Sequence, residues 1–381
     1  MNAYRSPWMT EDHDMYRDGV RKFLESEFLP QREHWVEQGY PEKEYWKKAG
    51  EMGLLCPDVP AEYGGGGGDF GFDVITYEEL LRLCISSFGN GIQSIVAHYI
   101  VKYGTEEQKH RWLPGMASGD VITAIAMTEP GTGSDLQSIT TKAVRDGDEY
   151  VLNGSKIFIT NGYNANLVCV VCKTDPNEGA KGVSLLMCEV DDLEGFSRNK
   201  PLKKVGMKGQ DTCELFFDDC RIPIENILGG EEGQGFYQLM AQLPRERLII
   251  GVGAIAAVEA VLEQTIEYTK ERKAFKKPLM DFQNTKFKLA EIATEAKISR
   301  VFIDYCIGEL NEDRLDNETA SMAKWWCSEK QFEAAHQCLQ LHGGYGYMME
   351  YPVAHYFADS RVQMIYGGSN EIMKELISRS L

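Results

Sequence analysis

Three textures follow one another along the chain. From the N-terminus to about residue 120, apolar and charged residues recur at helical spacing. The runs are MYRDGVRKFLESEFLP, which ends in proline, then EKEYWKKAGEMG, DVITYEELLRLC and TEEQKHRWLPGMASG. At Val121 the period shortens. VITAIAMTE, EYVLNGSKIFITN, NLVCVVCK, GVSLLMCEV and CELFFDDCRI are strand-like and separated by Gly, Asn and Asp turns. After ILGGEEGQGF the helical period returns and persists to Leu381, in runs of about 232–270, 280–309 and 316–341. Such lengths exceed the average globular helix and predict a bundle. The predicted class is α+β: an N-terminal helical domain over 1–120, a middle β domain over 121–230 and a C-terminal helical bundle over 231–381.

Composition narrows the functions this fold can serve. A chain of 381 residues buries well over half of its unfolded surface and needs no disulfide or metal staple. Acidic residues outnumber basic ones 58 to 40, giving a net charge of −18, so a nucleic-acid partner is not expected. The same field disfavours an anionic membrane surface, while a local basic pocket for a phosphorylated ligand stays compatible. No run of 18 or more consecutive apolar residues occurs, so no transmembrane helix and no stable membrane insertion are expected. The opening MNAYRSPWMTEDHDMY has neither an apolar signal core nor an Arg/Ser-rich, acid-poor character. A prokaryotic cytoplasm is the expected compartment; a mature mitochondrial matrix protein would read the same.

Two motifs are tempting and bland. Cys169 and Cys172, in LVCVVCK, have C-x-x-C spacing, but residues three apart on a strand point to opposite faces. No second pair completes a metal site, so none is expected and the thiols read as reduced packing groups. Gly64 to Gly68 form a run of five glycines that fits no nucleotide-loop spacing and reads as a flexible connector between helices.

Six segments carry candidate chemistry. Met127-Thr128-Glu129-Pro130-Gly131-Thr132-Gly133-Ser134-Asp135 leaves a strand and offers backbone N–H groups and hydroxyls to a planar ring or a phosphate; plain turns have the same wording. Phe158-Ile159-Thr160-Asn161-Gly162 ends a strand with an aromatic and a hydroxyl. Glu271-Arg272-Lys273-Ala274-Phe275, with Gln283 after it, can pair with phosphate and pack on a base, or simply be a solvated helix end. Gln340-Leu341-His342-Gly343-Gly344-Tyr345 closes a helix; His342 reads as a hydrogen-bonded structural histidine. Tyr366-Gly367-Gly368-Ser369-Asn370-Glu371 opens the last helix, with Ser369 or Asn370 as N-cap. Leu243-Pro244-Arg245-Glu246-Arg247 lies inside a long helix, where Pro244 is expected to introduce a kink. Glu246 there precedes an apolar stretch that would raise its pKa and suit it to act as a base, although most helix glutamates are solvated.

Taken together, in this order and at this spacing, the six segments resemble the acyl-CoA dehydrogenase family over essentially the whole chain. MTEPGTGSD and QLHGGYGY are the most specific pair. LPRERLIIG, RKAF and YGGSNEIMKELI resemble the long-chain branch. The resemblance implies FAD bound non-covalently between a barrel-like middle domain and the C-terminal bundle. It places Met127, Thr128, Gly133 and Ser134 beside the flavin, with Phe158 and Thr160 where the family usually has Trp and Thr. It assigns Arg272, Phe275 and Gln283 to the pyrophosphate and adenosine end, together with Gln340 and Gly344. In the family these two groups come from a neighbouring subunit, which implies a homo-oligomer, usually a tetramer. Ser369 and Glu371 match the remaining FAD contacts.

Many relatives carry the catalytic base immediately after the tyrosine of the last loop, where this chain has Gly367. The long-chain and isovaleryl branches carry it on the long helix, where this chain has Glu246. The absent carboxylate and the present one tell one story. The resemblance thus implies α,β-dehydrogenation of a long-chain or branched acyl-CoA to a trans-2-enoyl-CoA. Glu246 would take the α-proton as the β-hydride passes to flavin N5. The Gly367 backbone N–H would polarise the thioester carbonyl. Ser134, Arg247, Tyr366 and Gly367 would contact substrate, the helix near 88–103 would line the acyl pocket, and electrons would leave to an electron-transfer flavoprotein. Acyl-CoA and nitroalkane oxidases share the resemblance and pass electrons to dioxygen; a flavin-free scaffold is the alternative of another class.

Overall fold

The computed structural model describes residues 4–381. Side-chain caps set where its helices begin. In α1 (Glu11–Phe23) the Thr10 side chain accepts the His13 N–H and the His13 ring accepts the Thr10 N–H, so two otherwise orphaned donors are satisfied. Thr105 and Gln108 repeat the device at α6 (Glu106–Ser118). Between them lie α2 (Arg32–Gln38), α3 (Lys43–Glu51), α4 (Phe70–Arg82, capped by Asp69) and α5 (Asn90–Tyr103).

The strands follow in the order β1 (Thr123–Ala126), β2 (Lys142–Asp146), β3 (Glu149–Thr160), β4 (Leu167–Lys173), β5 (Val183–Glu189), β6 (Phe196–Arg198) and β7 (Thr212–Pro223). They make one seven-stranded sheet in the order β1-β4-β2-β3-β7-β6, with β5 attached to β4. β1 runs parallel to β4, while β5 and the β2-β3-β7-β6 ribbon pair antiparallel. The middle domain is therefore a curled sheet, the barrel-like domain expected, and it forks at β4. β2 meets β4 only at Lys142–Lys173, because the ribbon diverges from β4 beyond that pair.

The C-terminal part is helical: α7 (Gly235–Glu271), a short β8–β9 hairpin (Lys273–Ala274 and Lys277–Pro278), α8 (Gln283–Asn311), α9 (Asn317–His342), α10 (Pro352–Gln363) and α11 (Asn370–Ser378). α7 is the axis of the molecule and packs on α4, α5, α8, α9 and α10. It runs 37 residues and continues through Pro244 as one helix. Its most apolar 18-residue window has mean hydropathy 1.6, enough for a membrane span by composition, yet 72% of that window is buried in the protein. The apolar stretch is core, not a lipid-facing surface.

One apolar core joins α4, α5 and α6 to one face of β4–β5 and to α7, α8 and α9; a second fills the other face of the sheet; a third lies within the N-terminal helices. β4 shows the division. Cys169 and Val171 enter the first core, and Val168, Val170 and Cys172 the second, as period-two geometry requires. All ten cysteines are free and buried. The glycine run is not a flexible connector. Gly66 and Gly68 donate to the Cys56 and Pro57 carbonyls at 3.1 and 3.0 Å, and a Cβ at Gly65 would lie 2.3 Å from the Val59 carbonyl oxygen. Two backbones are pressed together there, which only glycine permits.

Candidate active site

A cavity of about 260 Å³ opens where α4, α5 and α7 meet the ends of β1 and β3 and the loop after α10. Apolar side chains dominate its wall, among them Leu80, Ile92, Ile95, Ile249 and Ile250, with Tyr77 beside them. Glu246 stands on this wall. Burial pushes its carboxyl above the usual range, against the opposing effects of a Tyr99 hydrogen bond and the Arg247 charge. The Tyr99 hydroxyl donates to Oε1 at 2.7 Å. A carboxylate with a raised pKa beside an apolar space suits proton abstraction from carbon.

The loop after α10 faces Glu246. Gly367 adopts φ +61°, and a Cβ there would lie 2.3 Å from Ile250 Cδ1. Ile250 is one helical turn beyond Glu246, so the helix that carries the carboxylate also fills the room a side chain at 367 would need. The loop is held from behind by Lys324 of α9. Its buried Nζ donates to the Gly368 carbonyl (2.7 Å) and to Asn370 Oδ1 (2.9 Å). Burial lowers the Lys324 ammonium to about 8. Tyr366 lines the cavity and donates to Gln363 Oε1 at 2.7 Å.

The mouth is built from the sheet. Met127, Thr128, Phe158 and Thr160 line it side by side. Lys156, fully buried, donates to the Met127 carbonyl at 3.0 Å and to Glu129 Oε1 at 2.9 Å. Burial alone would raise the Glu129 carboxyl; the Thr141 and Thr140 hydrogen bonds and the Lys156 charge outweigh it and hold it at about 2. Phe158 sits at a bulge where β3 slips against β7, with φ +61°, and its ring is 63% exposed. Asn161, at φ +60°, donates to the Gly89 and Thr123 carbonyls and ties this corner to the start of α5. Non-glycine residues held in this region are strained and need such support. Asn90, also on the cavity wall, keeps a buried amide nitrogen without a partner.

The other expected residues lie outside the cavity. Gly133 and Ser134 are exposed in the loop that continues from Thr128. Arg247 is buried, but its guanidinium donates to Asn317 and Ser321 of α9 and does not line the cavity. Adjacent positions on a helix point about 100° apart, which separates Arg247 from the space Glu246 faces. Arg272 ends α7 and lies 5.5 Å from the Tyr345 ring, so the Arg272 segment and the Gly343–Tyr347 turn adjoin. Phe275 is 91% exposed, and Gln283, Gln340 and Gly344 are exposed too. His342 hydrogen-bonds the Cys338 carbonyl and stacks on Tyr268, the structural role expected of it. Ser369 caps α11, with Glu371 exposed in its first turn.

Sequence reasoning missed Tyr99, Lys156, Lys324 and Asn90. Each is a polar residue at an inward position of an apolar pattern, and that contradiction was the available signal. No cluster of three or more metal-ligating side chains occurs among the described residues.

Three family models match the chain: acyl-CoA dehydrogenase, N-terminal domain, over residues 10–120; the middle domain over 124–220; and the C-terminal domain over 233–381. The long-chain specific acyl-CoA dehydrogenase, mitochondrial, of Rattus norvegicus is 48% identical over 375 residues, covering 98% of this chain and 87% of the rat protein. An acyl-CoA dehydrogenase crystal structure from Geobacillus kaustophilus matches with TM-score 0.96 and 47% identity, covering 99% of each chain. A chain from a structural study of the electron transferring flavoprotein of Acidaminococcus fermentans matches with TM-score 0.94 and 34% identity, covering 99% of each. A glutaryl-CoA dehydrogenase from Mycobacterium smegmatis in complex with FADH2 matches with TM-score 0.91 and 29% identity, covering 98% of this chain and 95% of that one.

Proposed function

The chain belongs to the acyl-CoA dehydrogenase family of oxidoreductases, and from that premise we propose that it converts a long-chain or branched acyl-CoA to the trans-2-enoyl-CoA with Glu246 as base. The observation that carries this reading is one juxtaposition. A buried carboxylate with a raised pKa faces an apolar cavity. The alternative position for a base, Gly367, has no side chain, and the Ile250 methyl occupies the space next to it. The long-chain assignment rests on the rat relative.

FAD is the cofactor of this reading. The residues at the mouth fit a flat polar ring system. Phe158 presents an exposed aromatic face, Thr128 and Thr160 supply hydroxyls, and the unpartnered Asn90 amide points to a missing acceptor. A relative binds the reduced form of the same group. Arg272, Phe275, Gln283, Gln340 and Gly344 lie on exposed surface. There a second copy of the chain would complete the adenosine and pyrophosphate end, which makes a homo-oligomer, a tetramer in this reading, part of the proposal. Bound FAD supplies the acceptor for the β-hydride.

The protein's own residues do the rest. An α C–H next to a thioester is a weak acid, so its carbonyl must be polarised before a carboxylate can take the proton. The Gly367 N–H is available for this because it needs no side chain, and Lys324 fixes the loop that carries it. Glu246 then accepts the α-proton. The apolar wall excludes water and keeps the carboxylate basic. Arg247, engaged with α9 and outside the cavity lining, serves as a nearby charge in this reading. The electron acceptor we assign is an electron-transfer flavoprotein, supported by the structural neighbour from Acidaminococcus fermentans.

The test is an anaerobic titration of the purified protein with saturated acyl-CoAs of increasing length and with isovaleryl-CoA. A flavin spectrum that bleaches, fastest with a long or branched chain, is the expected result. A flavin that stays oxidised with every thioester overturns the reading, and rapid peroxide formation in air would redirect it to an oxidase.

A further inference from the structure

We propose that Tyr99 is the positioning residue for Glu246: its hydroxyl anchors Oε1 and leaves Oε2 as the oxygen that meets the substrate. The inference rests on the reading of Glu246 as the base, and it goes beyond that reading by naming what aims the carboxylate.

The geometry is specific. Tyr99 and Glu246 are 147 positions apart, on α5 and α7, and both are buried where their hydrogen bond of 2.7 Å forms. The Tyr99 ring is fully buried in the core that joins α5 to β4 and α7, with the Tyr103 ring tilted beside it at 6.3 Å. A ring held on all sides cannot swing, so its hydroxyl is a fixed point. Glutamate, by contrast, has three side-chain torsions to lose. Oε2 has no hydrogen-bond partner among the described residues. One oxygen is thus tethered and the other is unengaged, on a residue that lines the cavity. A base must sit within hydrogen-bond reach of the proton it removes, and a carboxylate free at both oxygens would sample other rotamers.

The same bond biases ionisation. Three ionisable groups act on Glu246 or feel its charge: Tyr99 from α5, Arg247 from α7 itself, and Cys169 from β4. Tyr77 from α4 and Tyr366 from the loop after α10 share the cavity but make no hydrogen bond to it. Burial holds the Tyr99 phenol and the Cys169 thiol protonated at neutral pH. Tyr99 is therefore the only neutral donor bonded to the carboxylate among the described residues. A donor to the charged form favours that form, so removing it must raise the pH at which Glu246 ionises.

The experiment compares holoenzyme carrying Tyr99→Phe, Tyr103→Phe, Glu246→Gln and no substitution. Tyr99→Phe keeps the ring and deletes only the hydroxyl. Two readouts are followed against pH: the anaerobic rate of flavin bleaching by acyl-CoA, and the infrared band of the buried carboxyl, assigned by its loss in Glu246→Gln. We expect Tyr99→Phe to move the acidic limb of the rate profile, and the carboxyl titration with it, up by about one pH unit, the roughly tenfold loss expected for one charge-assisted hydrogen bond. The concentration of acyl-CoA needed for half-saturation should stay within about threefold, since a positioning role acts on the chemical step. Tyr103→Phe should leave both readouts in place. The proposal is overturned if Tyr99→Phe leaves the limb and the carboxyl titration where they are in the unsubstituted enzyme. Failure of the underlying reading looks different: Glu246→Gln would then bleach at the full rate, whatever Tyr99→Phe does.

Discussion

In the proposed reaction, single residues decide where the proton can go. Gly367 is a position where a side chain is doubly disfavoured, by a left-handed φ of +61° and by Ile250 Cδ1 at 2.3 Å from a built Cβ. Gly367→Ala should therefore lose about 1–2 kcal/mol of stability from backbone strain, with loss of bleaching rate as the loop shifts. Gly344→Ala, with nothing within 4 Å of its Cβ, should stay within about 0.5 kcal/mol. Chemical denaturation of the two variants checks the contrast; equal losses would contradict it. That Glu246 and Gly367 share one cavity was indicated by the family resemblance, in which one carboxylate is missing where the other is present. Tyr99 was not, because a tyrosine in an apolar helix reads as core, and only the fold shows its hydroxyl meeting a residue 147 positions away.

Elements hold those residues in register. β3 carries Lys156, Phe158 and Thr160, and the Lys156–Glu129 pair clamps it to the loop after β1. Glu129→Gln would leave a lysine buried without its counter-ion, at a cost of about 3 kcal/mol at neutral pH. The sign of the pH dependence follows from the depressed carboxyl. Its folded value is about 2 against an ordinary 4.5, so the stabilisation is fully present above 4.5 and fades as pH falls toward 2. The stability gap between the unsubstituted protein and Glu129→Gln should be level from pH 7 to about 5 and narrow below that. Urea titrations across this range test it, and a gap that stays level to pH 3 would refute the account. The long strands and helices were legible from their periods. β2, KAVRD, was not, being short and charged, and β6 spans only three residues. The glycine run misled because glycine can mean freedom or close approach, and only tertiary contacts tell them apart.

At the scale of the molecule, α7 links the parts. It carries Glu246 into the cavity. Through Arg245 it also reaches Asp58 (2.6 Å), Asp73 and Ser94 (both 3.1 Å) in the N-terminal domain. The helix–strand–helix order was plain in the sequence; the fork in the sheet was not, since it depends on pairings between distant strands. Assembly of the exposed Arg272 and Gly344 surface lies beyond one chain's periodicity altogether. The central claim is that this architecture presents Glu246 as the base. Its most direct test is anaerobic mixing of the flavin-loaded Glu246→Gln protein with the acyl-CoA that bleaches the unsubstituted protein fastest. The expected result is a variant that binds both FAD and the thioester, seen as a perturbed flavin spectrum, yet stays oxidised. Bleaching at the unsubstituted rate would contradict the claim and return the search for the base to the rest of the cavity wall.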